Sequence, residues 1–176
     1  MNKKYENIKR LIRHDWPMHI ILLATGWLPD NVIFMKIRGY LAKPFFKSCG
    51  KNLRLGRGLV FYNCSNIIIR DNVYIAYGNW FSASTEIKIE SDVLIGPKCV
   101  FSSSNHLMHE GSFSNELSKR EPISIGRGSW VAANCTITAG TKIGKSSSVG
   151  AGSVTFNHFL DKVFIAGNPA KVIKNI

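Results

Sequence analysis

Two histidines three residues apart, His106 and His109, fall within the stretch SSSNHLMHEGSF, Ser102 to Phe113. An imidazole, with a solution pKa of about 6.5, can take a proton from an attacking hydroxyl at cellular pH. Two imidazoles could also begin a metal site, but a catalytic zinc wants three protein ligands that converge. The other histidines, His14, His19 and His158, lie near the start of the chain and in its tail, which argues against zinc. Cys49, Cys64, Cys99 and Cys135 form no CxxC pair and are too widely spaced for a metal knuckle. Three of them fall in apolar segments, as buried reduced thiols do. A loop carrying a base and a merely solvated loop remain open at this point.

The frame around this stretch is periodic. Apolar residues fall six apart at Leu55 and Phe61, then at Ile69, Ile75 and Phe81, then at Ile89, Ile95 and Phe101. After the interruption the series runs Ile125, Val131, Ile137, Ile143 and Val149. Gly or Ala often follows the beat, and another apolar or small residue often stands two before it, as at Val73, Val93, Ile123 and Cys135. A period of six fits neither an amphipathic helix nor an alternating strand. It fits a parallel β-helix, in which each hexad supplies a short strand and a tight corner. Each coil then buries its apolar residue only against its neighbours, so both ends need caps. The phase slips by two after Phe61 and after Phe81, as corner insertions would require. The excursion from Phe101 to Ile125 is longer, and long loops in compact domains are usually functional or disordered.

The ends leave the pattern. Residues 1–14 read as an amphipathic helix with Tyr5, Ile8, Leu11 and Ile12 on one side. Pro17 and Pro29 bracket a second helix, and residues 31–48 form a third that breaks near Pro44. This region is expected to cap the first coil; its Lys, Arg, Trp and Ile content would equally serve peripheral membrane contact. In the tail, AGNPAKVI reads as a turn followed by an apolar segment that covers the last coil. The domains are therefore a helical cap over 1–50 and a β-helix over 51–176, with a loop at 102–121 and a terminal cap at 157–176.

The formal net charge of +12 favours anionic partners. Residues 1–50 supply half of it, with nine basic and three acidic groups. No arginine-aromatic stripe or nucleic-acid motif is present, so nucleic acid is not an expected partner. No secretory h-region is visible, and the apolar run Ile20–Leu28 is far short of a bilayer span. The expected location is the cytoplasm, at the inner face of the membrane if the helices touch it.

Hexads, an interrupting loop with Asn105-His106, the segment PISIGRGSWVAANCTITAGTKIGKSSSVGAGSV and a terminal AGNPAKVI together resemble the hexapeptide-repeat acyltransferases. The likeness covers about residues 50–176 and is closest to the maltose, galactoside and polysaccharide O-acetyltransferases. It implies an all-β, left-handed parallel β-helix, against the usual right-handed crossover rule. It also implies a homotrimer with acetyl-CoA in the groove between neighbouring β-helices, and no metal. In this chemistry an acceptor hydroxyl loses its proton as it attacks a thioester carbonyl, and backbone N–H groups stabilise the oxyanion.

The resemblance assigns the base to His106 rather than His109, with Asn105 orienting the loop or the acceptor. Glu110, Glu116 and Glu121 are candidates to hold the imidazole tautomer. Acceptor binding maps to Tyr74, Ala76 and Ser84; Ala76 stands where the family has Asn and Ser84 where it has an acidic residue. Those departures point away from maltose and galactoside, toward a sugar of a surface polysaccharide or its lipid-linked precursor. Donor binding maps to Trp130, Ala133, Ala151 and Gly152 along the pantetheine arm, then Phe156 and Asn157. Lys171 and Lys174 match basic residues facing the CoA phosphates. Three readings compete, one of them a non-catalytic β-helix scaffold or surface binder, which His106 in Asn105-His106 argues against. A γ-class carbonic anhydrase needs three converging histidines. An N-acetyltransferase of an amino-sugar nucleotide usually carries a nucleotide-binding segment, and no such motif stands in the first fifty residues.

Overall fold

The computed structural model describes residues 3–176, except the side chains of residues 3–6 and 114–116, so those of Tyr5 and Glu116 lie outside the described residues. The hexads close into a three-sided prism, a left-handed parallel β-helix. One face stacks strands Ser48–Cys49, Ile67–Ile69, Ile87–Ile89, Ile123–Ile125, Lys142–Ile143 and His158–Phe159. The second stacks Arg54–Leu55, Tyr74–Ile75, Leu94–Ile95, Trp130–Val131, Ser148–Val149 and Val163–Gly167. The third stacks Val60–Tyr62, Trp80–Ser82, Val100–Ser102, Thr136–Ile137 and Val154–Thr155. These are called the first, second and third faces below.

Every apolar beat residue from Leu55 to Val149 points inward, and the most exposed of them, Phe61, is 6% accessible. On the third face the rings of Phe61, Phe81 and Phe101 stack with centroids 5.0 and 4.6 Å apart. Phe46 meets Phe61 edge-on at 5.3 Å and closes this column at the helical end. Further along, buried hydroxyls join the apolar residues inside. Ser129 Oγ donates to Gly144 O (2.7 Å) and accepts from Ser147 N. Ser147 Oγ donates to Leu160 O and accepts from Val163 N, so each hydroxyl joins one coil to the next. Thr155, buried completely, occupies the beat after Val149.

The glycines that follow the beats do not adopt positive φ; a Cβ on Gly56, Gly96 or Gly126 would come within 2.8 Å of the backbone of the next coil, so close stacking selects the small residue. Between the first and second faces, Asn52, Asn72 and Asp92 adopt positive φ, which Asn and Asp tolerate better than other side-chain-bearing residues. Their side chains form a ladder, Asn52 to Asn72 at 3.1 Å and Asn72 to Asp92 at 3.0 Å. The two phase slips fall between the third and first faces, at the short 3₁₀ turn Cys64–Asn66 and at Ser84–Glu86.

At the N-terminus, α1 (Lys3–Arg10), a π-helical turn (Leu11–Asp15) and α2 (Trp16–Thr25) run on without a break. Sequence reading separates them at Pro17. The π turn explains the continuity: Pro17 has no N–H to offer, and a widened turn just before it absorbs the loss, with Trp16 N–H bonding to Leu11 O. Helix α3 (Val32–Ala42) starts at Asn31, whose side chain accepts from Phe34 N. Arg38, 1% exposed, clamps this region to the first coil. It donates to Leu55 O at 2.7 Å, Leu28 O at 2.8 Å and Asp30 Oδ1 at 2.9 Å.

Two expectations change. The tail does not cover the last coil with apolar side chains: Ala170–Asn175 adds antiparallel to Val163–Gly167, and Val172, Ile173 and Ile176 are exposed. It closes the prism by pairing an open edge. The interrupting segment is not an irregular loop. It is a β-hairpin, Ser104–His109 against Ser112–Arg120.

Candidate active site

The hairpin leaves the edge between the third and first faces, after the third coil. Its tip is a two-residue turn, Glu110 (φ +49) and Gly111 (φ +78), of the kind whose twist matches paired strands. Nothing lies within 4 Å of a side chain built on Gly111, so the backbone conformation alone requires glycine there.

Its root is fixed by serine hydroxyls. Ser103 is fully buried; its hydroxyl accepts from Thr85 N (2.9 Å) and lies 3.1 Å from Thr85 O. Ser103 O accepts from Glu121 N, which pins the returning strand to the outgoing one. Ser102 Oγ donates to Ser104 O, and Ser104 Oγ donates to Ser84 Oγ at 3.0 Å. All three serines before Asn105-His106 are thus used to orient the ribbon. Sequence reading missed this role, although three consecutive small hydroxyls at a strand end were the available signal.

Asn105 and His106 stand opposite Lys119 and Ser118 across the hairpin, just before a bulge between His106 and Met108. A bulge next to a site re-aims the side chains around it. His106 is exposed, as is His109 at the last pair before the turn. Of the three carboxylates, Glu110 sits at the tip, and Glu121 at the root is held by Lys119 at 3.1 Å. Glu116 has no described side chain. Among the described residues, no three His, Cys, Asp or Glu side chains converge as metal ligands would.

The remaining candidates divide among three places. Tyr74 and Trp130 lie in one outward row of the second face, with Leu94 between them by direct pairing. Two strand spacings put them roughly 10 Å apart. The Arg54 guanidinium covers the Tyr74 ring at 5.2 Å, a contact sequence reading did not suggest. Lys174 and Lys171 pair with Phe164 and Ala166 farther along the same face. Ala133, Ala151 and Gly152 lie on the adjoining edge between the second and third faces, where Gly152 has φ +72 and donates to Ala133 O. A side chain built on Gly152 would meet nothing within 4 Å, so this corner is open to a ligand.

Ala76 shares that edge two coils earlier, but it is 5% exposed. Its N–H bonds to Ile95 O and its carbonyl to the Asn79 amide, so it turns no free polar group outward. Phe156 and Asn157 lie elsewhere, on the edge between the third and first faces, together with Ser84 and the hairpin. Ser84 shares a cleft with Lys47, Asn66, Thr85 and Glu86 beside the hairpin root. One chain therefore brings Ser84, Asn105, His106, Phe156 and Asn157 to one edge, and keeps Trp130, Ala133, Ala151 and Gly152 beyond the third face.

The cysteines offer no nucleophile in this region. Cys64, Cys99 and Cys135 are fully buried. Burial, reinforced by the Asp15 carboxylate at 3.2 Å, pushes the Cys64 thiol up.

No protein-family model matches the chain. The galactoside O-acetyltransferase of Escherichia coli (strain K12) is 31% identical over 139 residues, covering 79% of this chain and 68% of that protein. A putative lipopolysaccharide biosynthesis O-acetyl transferase of the same organism is 33% identical over 141 residues, covering 71% and 66%. Among solved structures, a galactoside acetyltransferase in complex with coenzyme A superposes with a TM-score of 0.80 at 26% identity, over 92% of this chain and 80% of the other. The hexad prism, the hairpin that interrupts it and this degree of identity lead to one conclusion: the chain belongs to the hexapeptide-repeat O-acetyltransferase family.

Proposed function

We propose that the protein transfers an acetyl group from acetyl-CoA to a hydroxyl of a saccharide, with His106 as the general base. The observation that carries this reading is the presentation of His106 on a hairpin whose root is held by three serines. In the reaction, neutral His106 accepts the hydroxyl proton while the hydroxyl oxygen attacks the thioester carbonyl carbon. The oxyanion collapses, the carbon–sulfur bond breaks, and the imidazolium returns its proton to the departing CoA thiolate. No covalent enzyme intermediate forms, in keeping with the burial of Cys64, Cys99 and Cys135.

The same reading makes the working unit a homotrimer. The donor residues stand on two edges of one prism, and two prisms side by side bring unlike edges together. The hairpin also leaves Leu107, Met108 and Phe113 exposed. A two-stranded ribbon is marginal by itself, and a neighbouring prism would cover those side chains. The open corner at Gly152 suits the pantetheine arm, and Lys171 and Lys174 suit its phosphates.

For the acceptor, the relative named for lipopolysaccharide biosynthesis and the departures at Ala76 and Ser84 support a saccharide of a surface polysaccharide over a free galactoside or maltose. The test is CoA-thiol release from acetyl-CoA against sugars, nucleotide sugars and polysaccharide fragments. Saccharide-dependent release that His106→Ala abolishes is the expected result. Acetylation at the amine of an amino-sugar nucleotide, with no ester formed on any saccharide, would replace this reading with N-acetyl transfer.

A further inference from the structure

Helix α2 is packed with its apolar character on both sides. Met18 and Thr25 face the prism and are buried. The opposite stripe, Trp16, Ile20, Leu23 and Trp27, is 65, 59, 71 and 77% exposed. No Asp, Glu, Lys or Arg occurs from Trp16 to Pro29. Helix α3 repeats the pattern, burying Met35 and Ala42 while Ile33 and Ile37 stand exposed at 68 and 41%. A surface helix normally turns polar residues outward, and an apolar patch of this extent on a folded surface marks a contact. Trp27 closes the stripe with its indole N–H bonded to Ala24 O at 2.9 Å, so its polar atom is satisfied locally while the ring faces outward.

The charge around the patch has one sign. Arg13, Lys36 and Lys43 are exposed beside it. The two described carboxylates of the region are both engaged: Asp15 accepts from Cys64 N and Sγ, and Asp30 pairs with Arg38 at 2.9 Å and Arg57 at 3.8 Å. A second copy that met this face with the same face of its own would bring these cations against cations. An anionic lipid surface meets them with opposite charge, and tryptophans bracketing an apolar stripe sit well at a bilayer interface. No helix of the described residues is long and apolar enough to cross a membrane. The α2–α3 face suits lying on one.

We infer that the outer face of α2 and α3 is a docking surface for an anionic phospholipid bilayer. This inference does not rest on the reaction proposed above, and its test needs neither donor nor acceptor. Full-length protein is mixed with phosphatidylcholine vesicles and with vesicles containing phosphatidylglycerol, and the bound fraction is read by flotation. Binding to the anionic vesicles at least about tenfold stronger than to the neutral ones, weakened by salt, is expected. Leu23→Glu with Trp27→Glu should remove it, and Lys36→Glu with Lys43→Glu should weaken it about tenfold or more. Both pairs are exposed, so thermal midpoints should match the parent, which separates lost docking from lost folding. Failure of the parent to float with anionic vesicles overturns the inference. So does equal binding by a variant pair whose midpoint is unchanged. A change of oligomeric state by sedimentation equilibrium in L23E/W27E, without vesicles, would instead assign the face to a second copy.

Discussion

The Ser104 hydroxyl stands 3.0 Å from the Ser84 hydroxyl, joining the first residue of the hairpin to a corner of the coil below. Ser84 sits among the residues mapped to acceptor binding, and Ser104 is two residues from His106. One hydrogen bond thus links the two halves of the proposed chemistry. A net hydrogen bond contributes about 1 kcal/mol, enough to bias where a short ribbon points. Ser104→Ala should therefore lower kcat roughly fivefold with little change in KM for acetyl-CoA. Equal rates in the variant would show that the hairpin holds its position without this bond.

His106→Ala should lower kcat by about 10²–10⁴. His109→Ala, nearer the tip, should retain activity within about threefold, because the proton transfer passes through the other imidazole. Steady-state profiles of all three proteins check both statements.

Lys171→Ala and Lys174→Ala should each raise KM for acetyl-CoA several-fold while leaving kcat near the parent value. Each cation binds the donor equally in the ground and transition states. The effect should shrink for an acetyl-pantetheine donor, which lacks the nucleotide phosphates. A parallel loss of kcat would move these lysines away from the role given to them.

Arg38→Met should destabilise the fold by about 3–5 kcal/mol in denaturant titrations, because it leaves Asp30 and the carbonyls of Leu28 and Leu55 without their buried donor. Melting of the helical region ahead of the prism, seen as a separate early loss of helical signal, is the expected form of that loss.

Alkaline pH should weaken the protein. Burial pushes the Cys49 thiol up to about 11 and raises that of Cys64 as well. Both groups stay protonated in the folded state while the unfolded thiols ionise near the ordinary value of about 8.5. The part of the stability that these two thiols contribute is therefore flat below that value and declines as pH rises through it toward 11. Urea midpoints at neutral and alkaline pH should show the decline, and Cys49→Ala should reduce it.

Much of the architecture is legible in the sequence because one rule repeats. Each beat from Leu55 to Val149 fills an inward position in a short strand, so period and burial carry the same information. The hairpin was less legible because its pattern is broken by the bulge after His106, and its turn pair is Glu-Gly rather than the stronger Asn-Gly. The roles of Ser103 and Ser104 depend on Thr85 and Ser84 in the coil below, about twenty residues away, whereas that of Ser102 is local. No local window contains that partnership. The α2 surface shows the same limit: composition revealed an apolar helix, but only its packing shows which half of it remains uncovered.

The inward column of the third face changes character along the prism, from stacked phenyl rings near the helices to Ile137 and Thr155 near the tail, where serine and threonine hydroxyls also join successive coils. In a one-dimensional stack each interface has its own cohesion, so opening need not be uniform. The phenyl column loses dispersion and apolar burial all at once when parted, whereas the hydroxyl seams can exchange partners with water one bond at a time. Amide exchange should accordingly run fastest in the last coils and slowest beside Phe81. The coils carrying Gly152 and the two lysines would then breathe while the coil carrying the hairpin root stays shut, so donor capture and proton transfer are assigned to regions of unequal stiffness.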